Sequence, residues 1–177
     1  MRDLPVALAK LGWSATVATP SYGSLHLVDN AEKIGSVNIP YGGRLESIDA
    51  WLVPGSNAGV RNLVFDHPLF AADGAGVIYF GDEPERPFAT DANKFALFCA
   101  ASAEWVASAS RKPDVVHLHD WHAALFAVLV VAIILVFGHL VSQSLSRRYL
   151  EDLLISGREE AQRVADELRI QGPDFPL

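Results

Sequence analysis

The chain has a single cysteine, Cys99, in 177 residues, so no intrachain disulfide can form, and a reducing compartment suits at least its first part. Cys99 lies in the apolar run FALFCAA, where packing is the ordinary role of a thiol. A basic excess is lacking too. Residues 1–122 carry 9 Lys/Arg against 14 Asp/Glu and residues 123–177 carry 5 against 7, for a net charge of −7, which argues against a nucleic-acid partner. The first twenty residues, MRDLPVALAKLGWSATVATP, hold one early Arg and no long apolar core before a small-residue cleavage site, so they make a poor secretory signal. Neither GxxxxGK[ST] nor GxGxxG occurs, so no recognised phosphate-cradling loop is present and no cofactor is expected. HExxH is absent as well. Ser102 and Ser108 fall mid-helix without a strand-turn-helix elbow, which leaves no partner for a serine nucleophile.

What the chain does have falls into two unlike parts. Leu4, Ala7, Leu8 and Leu11 recur at helical spacing, Gly12 stops that helix, and SATVAT reads as a buried strand ended by Pro20. In a doubly wound sheet a strand and its loop would come before such a helix, so the chain starts one element late. Residues 34–39, 47–53 and 61–65 read as short strands separated by turn signals at 40–43 and 54–59, and VIYF at 77–80 reads as another. After a polar loop at 82–87, the spacing of Phe95, Phe98, Ala101, Ala103 and Val106 predicts a long helix from Asp91 to about Arg111. Asp91 and Asn93 then stand where a helix start needs a cap. DVVHLH, 114–119, is expected to be a parallel strand in the same sheet as 14–19, so that residues 2–122 form an α/β layer on a mostly parallel sheet.

From residue 123 the composition changes. Residues 123–141 are apolar apart from Gly138 and His139, and nineteen residues match the ~20 that a helix needs to cross a bilayer. A fully buried soluble helix is the competing reading. Further on, Leu150, Leu154, Gly157, Ala161, Val164 and Leu168 alternate steps of four and three, which suits either a short coiled-coil seam or an ordinary amphipathic helix. Gly172-Pro173 ends it. Arg147, Arg148 and Arg158 after the apolar run, against Arg111 and Lys112 before it, bias the C-terminus towards the cytoplasm.

The candidate site is the polar end of the 114–119 segment, since ligands of open α/β sheets bind outside the carboxyl ends of strands. There stand His117, His119, Asp120, Trp121 and His122. A carboxylate beside an aromatic ring suits a sugar, with hydrogen bonds to hydroxyls and stacking on the ring. Three histidines within six residues also admit zinc, a reading weakened by the want of a second ligand cluster. Histidines satisfied by local hydrogen bonds are the plain alternative.

RDLPVALAKLGWSATVATPSYG, FDHPLF, GVIYF, DANKFALFCAASAEW and KPDVVHLHDWHAAL occur in an order and at separations that closely resemble the N-terminal domain of bacterial glycogen synthases and plant starch synthases. The resemblance covers about residues 2–125. It implies the Rossmann-like half of a two-domain, metal-independent glycosyltransferase that moves glucose from ADP-glucose or UDP-glucose to an α-1,4-glucan with retention. It places Asp120 on the glucan and sugar side of the cleft, with His119 and Trp121 shaping it. Asp91 and Asn93 fall in the family's DN-x-x-RF segment, where this chain has DANKF and Lys94 replaces the arginine.

The family's Lys-x-Gly-Gly loop, its His-Asn segment after HDWH and its second domain are not in this chain. One lost oxyanion donor alone costs ~3 kcal/mol, so turnover by these residues alone is not expected. The segment from about residue 126 is expected to be unrelated and is weakly similar to the membrane exit of a sensor kinase.

The expected organisation is therefore an incomplete synthase-like domain at 1–122, a hydrophobic and transmembrane helix at 123–145, an amphipathic or coiled-coil helix at 146–171 and a tail at 172–177. The enzyme part would be cytoplasmic, with single-pass attachment if the span inserts. The leading functional expectation is a fragment of a glycogen or starch synthase joined to foreign sequence. Its rivals are a membrane-anchored sugar-binding or sensor-like module, and a remnant without a ligand. Helix pairing would run through Leu150, Leu154, Ala161, Val164 and Leu168.

Overall fold

The computed structural model describes residues 3–55, 59–81, 84–86 and 88–170, the last four by backbone alone. The chain divides into two compact units, Met1–Val131 and Ala132–Leu177. In the first, α1 (Asp3–Lys10) is followed by β1 (Ala15–Pro20), β2 (Glu32–Tyr41), β3 (Arg44–Val53) and β4 (Val60–Asp66). A 3-10 turn at Pro68–Ala71 and α2 (Ala89–Ser108) come next, and α3 (Trp121–Ile170) begins in the first unit and runs into the second.

Among the described residues the sheet has the order β1-β4-β3-β2. β1 pairs with β4 in parallel, and the β3–β4 and β2–β3 pairs are antiparallel. The β2–β3 hairpin closes over Gly42 and Gly43, both at positive φ (58° and 80°), between the paired residues Tyr41 and Arg44. That backbone favours glycine and matches the strand twist, so the turn sets the register. The register then puts Val37 and Ile39 of β2, Ile48 and Ala50 of β3, and Leu63 and Phe65 of β4 in one core. α2 covers that core with Leu97, Phe98, Ala101 and Ala103, and Phe65 meets Phe98 and Trp105 edge-on at 6.2 and 6.0 Å. Burial of each large aliphatic or Phe side chain of this core contributes roughly 1.5–3 kcal/mol by leaving water.

The structure corrects four expectations. The sheet is mixed rather than mostly parallel, because the meander of β2, β3 and β4 supplies two of its three pairings. β1 is an edge strand of alternating exposure rather than a buried one, which is also where Pro20 does least harm to a ladder. Residues 114–119 are not a strand: Val115 and Val116 are exposed, and β-branched composition without a neighbour to pair with does not make a ladder. Residues 77–80 are not a strand either, since their polar backbone groups bond to α2 side chains instead.

α2 begins at Ala89, with Phe88 at φ 67° as its N-cap and no side-chain cap bond there, so Asp91 and Asn93 do not cap it as expected. The long helix expected beyond residue 123 is present and begins two residues earlier, at Trp121. In the first unit Phe126 is buried in the core, and Leu129 and Val130 pack against it.

In the second unit the described helix is apolar as far as Val141 and then polar, with His139 bonded to Gln143 (2.9 Å), Gln162 to Asp166 (3.0 Å) and Arg163 to Glu160 (3.0 Å). Leu150, Leu154, Ala161 and Val164 are exposed along it. The side chain of Leu168, the turn at Gly172-Pro173 and the tail at 172–177 lie outside the described residues, as does part of the loop at 82–87.

Candidate functional site

The first turn of α2 carries an ion pair that is almost wholly buried. Asp91 is 0% exposed and Lys94 2%, and their charged atoms are 2.8 Å apart at i,i+3 spacing. Both Asp91 oxygens accept from the Phe80 backbone N–H (3.1 and 3.2 Å), and Lys94 donates to the Ile78 carbonyl. Lys94 also stands 5.3 Å from the Phe95 ring centre. Two charges removed from water are costly unless the surroundings complete their hydrogen bonds, and here they share that task with residues 78–80. This DANKF turn is thus a clasp on the irregular segment between the sheet and α2.

The clasp aims Tyr79 at the HDWH corner. The Tyr79 hydroxyl lies 2.9 Å from His122 Nε2. His122 sits against the Phe95 ring edge-on (4.3 Å, 75°) and stacks on Trp121 (4.3 Å, 29°), and Trp121 in turn meets Phe95 edge-on (5.3 Å, 81°). From the other side Cys99 Sγ donates to the His122 carbonyl (3.2 Å). Burial pushes the Cys99 thiol pKa up, offset in part by backbone hydrogen bonds from Phe126 and Leu125. Side chains from three segments, Tyr79, Phe95 and Trp121, therefore meet one imidazole, although no strand lies beneath it.

Asp120 differs in kind. Its φ of 65° turns the chain sharply into α3, its Oδ1 accepts from the Trp121 N–H (2.7 Å), and its carbonyl receives the Ala123 N–H (3.2 Å). Non-glycine residues take this backbone rarely, Asp and Asn most readily. The second carboxylate oxygen is 3.8 Å from His122 Nδ1, and the side chain stays 58% exposed. His119 is exposed and stacks on His117 (6.3 Å, 27°). Asn93 is exposed on α2, its amide donating to the Ala89 carbonyl (3.0 Å) while the Tyr41 hydroxyl donates to its backbone carbonyl (2.9 Å).

Of the five residues to which the resemblance gives a site role, Asp120, Trp121 and His119 gather at the corner with carboxylate and rings open to solvent. Asp91 is enclosed in the clasp and Asn93 faces away into its own helix turn and Tyr41. Sequence reasoning missed Tyr79, which links clasp to corner. Its signal was present in Asp91 and Lys94 at i,i+3 on an apolar helix face, a spacing that predicts a buried pair in need of backbone partners. Among the described residues no three or more His, Cys, Asp or Glu are grouped to hold a metal ion.

Two further polar clusters lie in the first unit. Ser21, fully buried, donates to Asp66 Oδ1 (2.6 Å) and accepts from the Gly23 N–H (3.0 Å), with His26 Nδ1 3.4 Å from the same carboxylate oxygen. The 3.4 Å approach lacks hydrogen-bond geometry, so His26 Nδ1 is close to a carboxylate yet unpartnered. The other cluster lines a cavity of about 360 Å³ bounded by Tyr41, Arg44, Glu46, His67, Leu69 and Leu97. There His67 Nδ1 accepts from the Leu69 N–H (3.2 Å), which leaves Nε2 to carry the proton towards Glu46 (3.2 Å). Arg44 also bonds Glu46, and with His67 it holds that carboxyl below the usual carboxylate range.

A family model described as the starch synthase catalytic domain matches residues 1–135. The chain is 28% identical over 134 residues to the glycogen synthase of Aliivibrio fischeri, which covers 73% of this chain and 25% of that relative. It is 32% identical over 133 residues to the glycogen synthase of Francisella tularensis subsp. tularensis, covering 73% and 26% respectively. A glycogen synthase of Hydrogenobaculum sp. is 28% identical over 128 residues, covering 72% and 25%. The chain spans about a quarter of the length of the curated relatives it matches. The family match ends at residue 135, inside the apolar run and beyond the border expected near residue 125.

Proposed function

The chain belongs to the starch synthase catalytic domain family, matched over residues 1–135, and from that premise we propose that its first unit is the acceptor-side portion of a glycogen synthase-type glucosyltransferase. The reaction in view is retaining transfer of glucose from ADP-glucose to an α-1,4-glucan. The observation that carries the acceptor side is the HDWH corner: Asp120 offers an exposed carboxylate to sugar hydroxyls, beside the half-exposed rings of Trp121 and Tyr79. Stacking plus charge-assisted hydrogen bonds is how a protein grips a flat-faced, hydroxyl-rich ligand. His119 borders the same opening, and Asp91 contributes through the clasp that holds Tyr79 rather than by touching a ligand. Asn93 holds the neighbouring turn.

Binding without turnover is the expected behaviour of these 177 residues, because one quarter of the relatives' length leaves most of their transition-state contacts to sequence outside it. The domain limits at 122/123 and 145/146, a cytoplasmic place for the first unit as long as α3 is not inserted, single-pass attachment where α3 inserts, and pairing of helices along Leu150, Leu154, Ala161, Val164 and Leu168 belong to the same proposal.

The test is affinity electrophoresis in glycogen-containing gels, beside incorporation of labelled glucose from ADP-glucose. Retardation by glycogen is expected, weakened about tenfold by Asp120→Ala with Trp121→Ala, which corresponds to about 1.4 kcal/mol. Retardation unchanged in the double variant would remove the corner as the binding site. Incorporation above that of heat-denatured protein would overturn the expectation of binding without turnover.

A further inference from the structure

The apolar start of α3 is claimed twice. In the first unit Phe126 is 7% exposed in the core, Leu129 and Val130 pack against that core, and the His122 carbonyl accepts the Cys99 thiol. Beyond them Val131, Ile134, Leu135, Val136, Phe137 and Leu140 are each more than half exposed. Consecutive positions 133–137 point all round the helix, so a partner helix covering one stripe would leave the remainder wet. A bilayer would cover them all.

Length decides where such a span must begin. From Val131 to Leu145, the stretch not engaged with the core, a helix rises about 22 Å, which falls short of a hydrocarbon layer about 30 Å thick. Starting at Ala123 and ending at Val141 it rises about 28 Å, close to that thickness. Trp121 and Tyr149, 48% and 65% exposed, stand at sequence positions between which a helix rises about 42 Å, the thickness of a bilayer with its interfacial zones. Aromatic rings favour those zones, and Arg147 and Arg148 stand beside Tyr149 at the polar end.

We propose that a lipid bilayer and the core of the first unit compete for residues 123–130, so that insertion of α3 withdraws Phe126, Leu129 and Val130 from the core. This rests on reading α3 as a membrane span. Insertion would uncover Cys99, part His122 from Tyr79 and dismantle the sugar corner, which links the state of the corner to the presence of lipid. Insertion from Val131 alone would do none of these.

Cys99 is the one thiol in the chain, so maleimide labelling reports the competition without engineering. The full chain would be mixed with phosphatidylcholine–phosphatidylglycerol vesicles, floated on a density gradient and labelled, alongside a Leu135→Arg, Phe137→Arg variant. The expected result is co-flotation of the wild type with Cys99 labelling at least tenfold faster than without vesicles, and a variant that neither floats nor gains labelling. Failure to float overturns the span reading and the proposal with it. Flotation with unchanged labelling overturns the competition and leaves the span standing. Equal acceleration in the non-floating variant overturns it also, since opening would then not need insertion.

Discussion

The carboxylates of Asp91 and Asp120 stand on the same two family-like motifs and face opposite physical problems. Asp91 is fully enclosed, paired with Lys94 and accepting from the Phe80 N–H. Asp120 is 58% exposed, spends one oxygen on the Trp121 N–H and leaves the other facing water near His122. A carboxylate with every lone pair directed at the protein positions structure, whereas one with spare acceptor capacity can meet a ligand. The contrast teaches that motif membership does not assign a role. Burial and the count of partners do.

The sharpest way to break the comparison is to leave Asp91 without its counter-ion. Lys94→Met removes a partner that is 2% exposed, and uncompensated buried charges of this kind cost about 3–5 kcal/mol. Thermal melting followed by circular dichroism should show a large fall in midpoint, and a loss within the scatter of surface substitutions would mean that the clasp does not hold this segment. Lys94→Arg, the residue the resemblance expects at this place, should recover most of the stability. Tyr79→Phe is a smaller cut, since it deletes only the hydroxyl on His122 Nε2. Its expected cost is about 1 kcal/mol or less in a denaturant titration, with a measurable weakening of glycogen retardation as the corner loosens.

How much of this was legible beforehand depends on whether a residue's partners are near in sequence. The β2–β3 hairpin was readable because Gly42 and Gly43 announce its turn and the alternation of Val37 and Ile39 with polar neighbours announces its face. α2 was readable from Phe95, Phe98 and Ala101. What escaped was set by long-range pairing. DVVHLH has the composition of a strand, yet no neighbouring ladder receives Val115 and Val116, which stay exposed. VIYF has strand composition too, but Asp91 and Lys94 take its backbone groups. Trp121 and Asp120 were singled out from motif and side-chain chemistry. Tyr79 was missed because its partner His122 lies 43 positions away in the chain.

The Glu46 carboxyl extends the comparison to a third environment, a rim position held by Arg44 and His67. Its folded pKa lies below the ordinary carboxylate range, with the Arg44 hydrogen bond as the largest cause. A depressed pKa contributes stability that is present above the unfolded value and lost as pH falls through the folded one. Acidification below about pH 4.3, the ordinary Glu range, should therefore begin to erode the contribution. Glu46→Gln should flatten the acid limb of the stability profile by slightly lowering stability at neutral pH, the two proteins converging in acid where the wild-type carboxyl is protonated. An identical acid limb in both proteins would show that the Arg44 and His67 contacts carry no net stability.

Asp120 gives the smallest expected effect on stability and the cleanest contrast with Asp91. In Asp120→Asn the amide oxygen can still accept from the Trp121 N–H, and Asn tolerates the φ of 65° as well as Asp does. With the side chain mostly in water, the change should lie within about 0.5 kcal/mol of wild type, as for surface substitutions. Only the negative charge is removed, and with it the charge-assisted bonds to sugar hydroxyls. Glycogen retardation should therefore weaken several-fold in a protein whose melting curve overlays the wild type. The Asp91→Asn counterpart should show the reverse order, a lowered melting point and, in the fraction still folded, a smaller loss of retardation than Asp120→Asn, through the loosened hold on Tyr79. A stability loss at Asp120 comparable to that at Asp91 would mean that this carboxylate is also spent on holding the chain, and its exposure would no longer mark it as the ligand-facing member of the pair.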